Sequence, residues 1–126
     1  MPNNKHRPVY LNLFAIHLPI TGLVSVLHRV TGVLAMLLVP AALALLQRSL
    51  EGESGYAQAR ALIGSPAGRL AAVVTIWLMA QHFFSGLRHL LLDLDVGVTL
   101  AWARRSAAAV FLASAAVTLL AAWRLL

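Results

Sequence analysis

Residues 70–89 read LAAVVTIWLMAQHFFSGLRH. The first 18 of them, Leu70–Leu87, include no Asp, Glu, Lys or Arg. At ~1.5 Å of rise per residue, such a run makes roughly 27 Å of helix, close to a ~30 Å hydrocarbon core. Val30–Gln47 and Ser106–Trp123 are two further charge-free windows of the same length. A buried helix of a soluble domain could account for one such run, but the composition argues against that for three. Only 11% of the 126 residues are charged and 60% are hydrophobic, whereas a soluble domain carries about 25% charged residues. The chain is therefore expected to be an all-α membrane protein. Three transmembrane helices run antiparallel, up-down-up, through a single domain covering 1–126, with spans at approximately 21–47, 67–92 and 104–124.

The segments between and before the spans complete this outline. Met1–Ile20 is basic at first and then mixed, which predicts a short arm lying in the membrane interface. It imitates the start of a signal peptide, but Pro8 and Pro19 break it and Arg29 interrupts the apolar path beyond. Pro40 is expected to bend the first span, because proline removes a backbone bond and clashes with the preceding turn. A short helix is expected over Tyr56–Ile63, ended by Gly64. Ser65-Pro66 then reads as cap and first residue of the second span. Asp93–Arg105 is expected to be a loop, and the alanine-rich third span can approach its neighbours closely.

Charge and cysteine content narrow the function classes. There is no cysteine, which removes disulfides and thiolate metal ligation. The net charge of +6 flanks the spans and forms no stripe on a soluble surface, so it does not point to nucleic acid. Six basic residues (Lys5, Arg7, Arg29, Arg88, Arg104, Arg105) fall at one end of the threaded spans, against four (Arg48, Arg60, Arg69, Arg124) at the other. That bias places the amino terminus on the cytoplasmic side.

Within this frame His82 is costly, lying six residues short of the nearest charge. An ionisable group at such a depth is a functional-site hypothesis by default. Antiparallel threading brings it to the depth range of Ser25, His28 and Arg29, which share a face of the first span with Gly32. On the second span His82, Ser85, Gly86 and His89 share a face in the same way. One deep imidazole beneath shallower cationic and hydroxyl groups suits a flat apolar ligand with an anionic edge. Haem is such a ligand, with an imidazole on iron and propionates near the interface. Gly86 would leave room for its macrocycle. A histidine bonded to a neighbouring helix, or one lining a transport path, fits the same residue. Transport is disfavoured because all four acids lie outside the charge-free windows. Arg29 alone could simply snorkel to the headgroups, and Ser25 alone could bond back to a carbonyl. Together they could hydrogen-bond a quinone carbonyl and stabilise negative charge on it.

Two stretches carry a family resemblance. Arg7-Pro8-Val9 followed by Ser25-Val26-Leu27-His28-Arg29-Val30-Thr31-Gly32 is one; His82-Phe83-Phe84-Ser85-Gly86-Leu87-Arg88-His89-Leu90-Leu91-Leu92-Asp93 is the other. In that order, with three spans around them, they resemble the cytochrome b membrane-anchor subunit of succinate dehydrogenase. Leu92 departs from the aromatic or methionine more common there, at a position expected only to pack. The resemblance implies a b-type haem shared with a second, smaller anchor subunit that supplies the other axial ligand. His82 matches the haem ligand, and thus the residue bound to iron. His28 and Arg29 match residues near the propionates, and Ser25 with Arg29 matches the ubiquinone site. The partners implied are a flavoprotein, which carries the succinate site, an iron–sulfur subunit and the second anchor. The chain itself would be a non-catalytic subunit with no catalytic residues of its own, multi-pass in a bacterial-type inner membrane. The alternatives are the anchor of a quinol:fumarate reductase and a non-redox structural or transport subunit.

Overall fold

The computed structural model describes residues 17–126; the expected interfacial arm falls almost wholly outside them. Four helices occur in order: α1 (Ile20–Ser49), α2 (Glu53–Gly64), α3 (Pro66–Asp93) and α4 (Leu100–Leu125). Among the described residues there is no strand. α1, α3 and α4 are each long and apolar enough to cross a membrane. α3 is the central helix, packed against α1 on one side and α4 on the other.

The helix ends reflect local chemistry. Ser65 caps α3, its Oγ accepting from Gly68 N at 3.0 Å, and Pro66 fills the first position, where the missing N–H costs nothing. Glu53 lies in the first turn of α2 and Arg48 in the last turn of α1, both favourable signs for the helix dipole. Arg48 donates from Nε and Nη2 to Gln58 Oε1, at 3.1 and 2.6 Å, tying α2 back to α1. α1 continues through Pro40 to Ser49.

α4 begins at Leu100, earlier than the charge pattern implies, so Arg104 and Arg105 are helical. A charge-free window marks hydrocarbon, whereas a helix continues into the headgroup zone where arginine is tolerated. The intervening turn is tight. Asp95 has φ 58° and Gly97 φ 80°, a left-handed conformation that Gly, and less often Asp, adopts readily.

The outward surface is apolar. Met36, Leu37, Leu112, Leu119 and Trp123 are all at least two-thirds exposed, as expected where lipid rather than water is the neighbour. The buried centre is small: Val24 of α1 meets Ala107 and Val110 of α4, with Phe84 and Phe111 against them. Small residues let the backbones come close where there is no aqueous hydrophobic effect to drive association.

Candidate functional site

The crossing of α1 and α3 is built from two copies of one spacing. His28 and Gly32 stand four residues apart on α1; His82 and Gly86 stand four apart on α3. Because the helices are antiparallel, each imidazole lies across the glycine of the other helix. A Cβ added at Gly32 would come within 2.9 Å of His82 Cε1, and one at Gly86 within 3.2 Å of His28 Cε1. Both glycines are therefore notches cut to the thickness of a ring. The space beside Gly86, expected to admit a macrocycle, is filled by His28.

The two rings stack, with centroids 4.2 Å apart and planes 12° from parallel. Each ring also bonds the backbone of the opposite helix. His82 Nδ1 is 3.1 Å from the carbonyl oxygen of His28, and His28 Nδ1 is 3.2 Å from that of His82. A carbonyl oxygen can only accept, so both Nδ1 atoms must carry the proton. Both Nε2 atoms are left with a free lone pair. Thr31, fully buried, adds a second contact at His82 Nδ1, 3.4 Å from its Oγ. Its hydroxyl proton goes to the carbonyl of Leu27 at 2.7 Å, so the oxygen faces His82 as an acceptor. His89 completes the cluster, its ring 5.2 Å from that of His28.

A ring nitrogen bonded to a carbonyl in this way fixes the ring's tautomer and direction. A ligating imidazole nearly always donates its other N–H to a carbonyl or carboxylate, which fixes the tautomer and the ring direction. Among the described residues no group of three or more His, Asp or Glu could hold a bare ion. Among the described residues no hydrogen bond engages His82 Nε2. Stacked side by side, His28 and His82 cannot stand on opposite sides of one macrocycle.

The remaining expected residues divide. Ser25 is half-buried and Arg29 exposed on α1, one turn from His28, with no hydrogen bond among the described residues. Arg88 turns away from the histidines and is buried against α4. It donates from Nε to Ser106 Oγ at 3.0 Å and from Nη2 to the carbonyl of Ala103 at 3.3 Å. Sequence reasoning missed the reciprocal crossing and the part of Thr31 in it. Two His-x-x-x-Gly spacings on antiparallel spans were the available signal.

Fold and site together define a three-span helical membrane subunit with a histidine pair at a span crossing. The chain matches the family of succinate dehydrogenase/fumarate reductase transmembrane subunits over residues 3–121, and it belongs to that family. It is 33% identical over 122 residues to the succinate dehydrogenase cytochrome b556 subunit of Coxiella burnetii, covering 95% of this chain and 98% of that protein.

Proposed function

We propose that this chain is the cytochrome b anchor of a succinate:ubiquinone oxidoreductase. It would hold a b-type haem through His82 and help to form the site where quinone is reduced. The observation that carries the reading is the bond from His82 Nδ1–H to the carbonyl of His28 at 3.1 Å. It fixes the proton on Nδ1 and leaves Nε2 free for iron. Bound there, haem supplies a one-electron redox centre. The name of the Coxiella burnetii relative, a cytochrome b subunit of succinate dehydrogenase, supports both the haem and the direction of reaction.

The opposite axial ligand would come from a second anchor subunit, since His28 is stacked beside His82 rather than facing it. His28 and Arg29 lie within one turn of the ligand on α1 and are suited to receive propionates. Ser25 and Arg29, four residues apart, offer a hydroxyl and a guanidinium to a quinone carbonyl, where they stabilise charge as it is reduced. The exposure of Arg29 leaves it open to a ligand shared with another subunit. Succinate oxidation would occur on a flavoprotein and pass through an iron–sulfur subunit to quinone beside these residues. The bias of basic residues supports an amino terminus, and hence this end of the site, on the cytoplasmic face of a bacterial-type inner membrane.

The reduced absorption spectrum of the purified complex tests this. It should show a b-type α-band that disappears in His82→Leu; an unchanged band in that variant would remove His82 as ligand. Arg29→Ala should lower quinone reduction by about tenfold or more while succinate oxidation by an artificial acceptor persists. Equal loss of both activities would point to failed assembly and count against Arg29 in the quinone site.

A further inference from the structure

The face of α3 turned towards α4 carries a second polar site, separate from the histidines. Between α3 and α4, where the α3–α4 turn begins, lies a half-open slot of about 330 Å³. That is within the roughly 300–1,000 Å³ range of small-molecule sites. Leu87, Leu91, Ala109 and Ala113 line it, with Trp102 in the first turn of α4, and Arg88 and Ser106 contribute its polar groups. Almost all of its lining is apolar, yet it contains an arginine, Arg88, that is only 7% exposed.

Its guanidinium has hydrogen bonds but no counter-charge. Both of its partners among the described residues, Ser106 Oγ and the Ala103 carbonyl, are neutral. None of the chain's four acids is bonded to it: Glu51 and Glu53 lie at the α1–α2 end, and Asp93 and Asp95, at the end of α3 and in the turn that borders the slot, form no ion pair with the guanidinium. The first turn of α4 holds no acid. Two more cations, Arg104 and Arg105, come directly after Ala103 and stand exposed. An uncompensated buried cation is strongly unfavourable, and a charge-assisted bond to an anion removes the cost.

We infer that this slot binds an anionic phospholipid, its phosphate on Arg88 and an acyl chain along Leu87, Leu91, Ala109 and Ala113. The position suits that occupant. Arg88 lies five residues before the end of α3 at Asp93, about 7.5 Å of helix, near headgroup depth. Trp102 is an interfacial residue type at the same end of the slot. Basic pockets between spans on the cytoplasmic side are a general route to anionic lipid recognition. Arg104 and Arg105 add attraction at the mouth, where a headgroup would remain in contact with water.

Lipid retention by the purified complex tests the inference. The complex is exchanged into nanodiscs of phosphatidylcholine containing a small fraction of phosphatidylglycerol, then washed with mild detergent and its lipids quantified by mass spectrometry. The wild type should retain about one phosphatidylglycerol per complex more than Arg88→Gln, and the variant should need at least about tenfold more of that lipid for the same occupancy. Because Arg88→Gln also loses bonds to α4, Ala109→Phe serves as the second variant. It fills the slot but keeps the guanidinium, and should also lose the lipid. Millimolar inorganic phosphate should fail to displace phosphatidylglycerol, because it has no chain for the slot. Equal retention in wild type and Ala109→Phe would overturn the inference. So would phosphatidylcholine held as well as phosphatidylglycerol, or crosslinking of a cysteine at position 109 to a partner subunit instead of lipid protection.

Discussion

The two faces of α3 deal with buried polarity in opposite ways. Towards α1, the two rings bond each other's backbone reciprocally, with Thr31 Oγ as an added acceptor at His82. Towards α4, bonding capacity is left over. Gln81 is fully buried, gives its Nε2 to Ser85 Oγ at 3.3 Å and leaves Oε1 without a partner among the described residues. Arg88 is bonded but carries uncompensated charge. A satisfied network fixes one geometry, whereas a partly satisfied one costs stability or waits for a ligand. The α1 face thus has the character of a scaffold that leaves a nitrogen free, and the α4 face that of a receptor.

Four substitutions sharpen or break this contrast, each read by thermal unfolding of the purified complex. The largest effect is expected from Gly32→Ala, which puts a methyl group 2.9 Å from His82 Cε1. Overpacking of this kind costs ~1–3 kcal/mol, more than the up to ~1 kcal/mol that alanine returns in helix propensity. On the proposed haem ligation by His82 the absorption spectrum should shift with it, and an unperturbed spectrum would mean that the notch does not position the ring. Gln81→Leu should go the other way and raise stability by about 1 kcal/mol, because it removes an orphaned buried oxygen. A loss there would show that Gln81 is satisfied in the assembled complex.

Thr31→Val removes the added acceptor at His82 with little change of shape and should cost ~0.6 kcal/mol, the typical value for such bonds in lipid. No change at all would leave the His28 carbonyl as the sole partner of Nδ1. Gly86→Ala should come closest to neutral. Its methyl group would lie 3.2 Å from His28 Cε1, a contact relieved by a few tenths of an ångström, and the propensity gain of up to ~1 kcal/mol offsets it. If Gly86→Ala proves as costly as Gly32→Ala, the two notches are equivalent and neither ring is held more tightly than the other.

What the sequence made legible was local. Hydropathy over 18 residues finds a span because lipid acts on each residue regardless of its neighbours, and Ser65-Pro66 reads as a cap because the cap is made within four residues. The depth match between His28 and His82 was legible too, since rise along a helix is fixed. Rotation about the helix axis was not. It decides that the His28 ring lies against Gly86, and that Arg88, one residue before His89, faces α4 instead of α1. A step of one residue turns a helix by about 100°, and no span-level pattern resolves which neighbour receives which face.

The crossing of α1 and α3 also has a date in the life of the chain. His28 and His82 are 54 residues apart, so at ~5–20 residues per second the first histidine emerges roughly 3–11 s before its partner has been made. Until then α1 sits in the bilayer with an unmatched imidazole and an empty notch at Gly32. The His82 ring acquires its direction only when α3 inserts alongside α1. Completion of the crossing must therefore wait for the second span, and a chain stalled before residue 82 would present the membrane with half a lock.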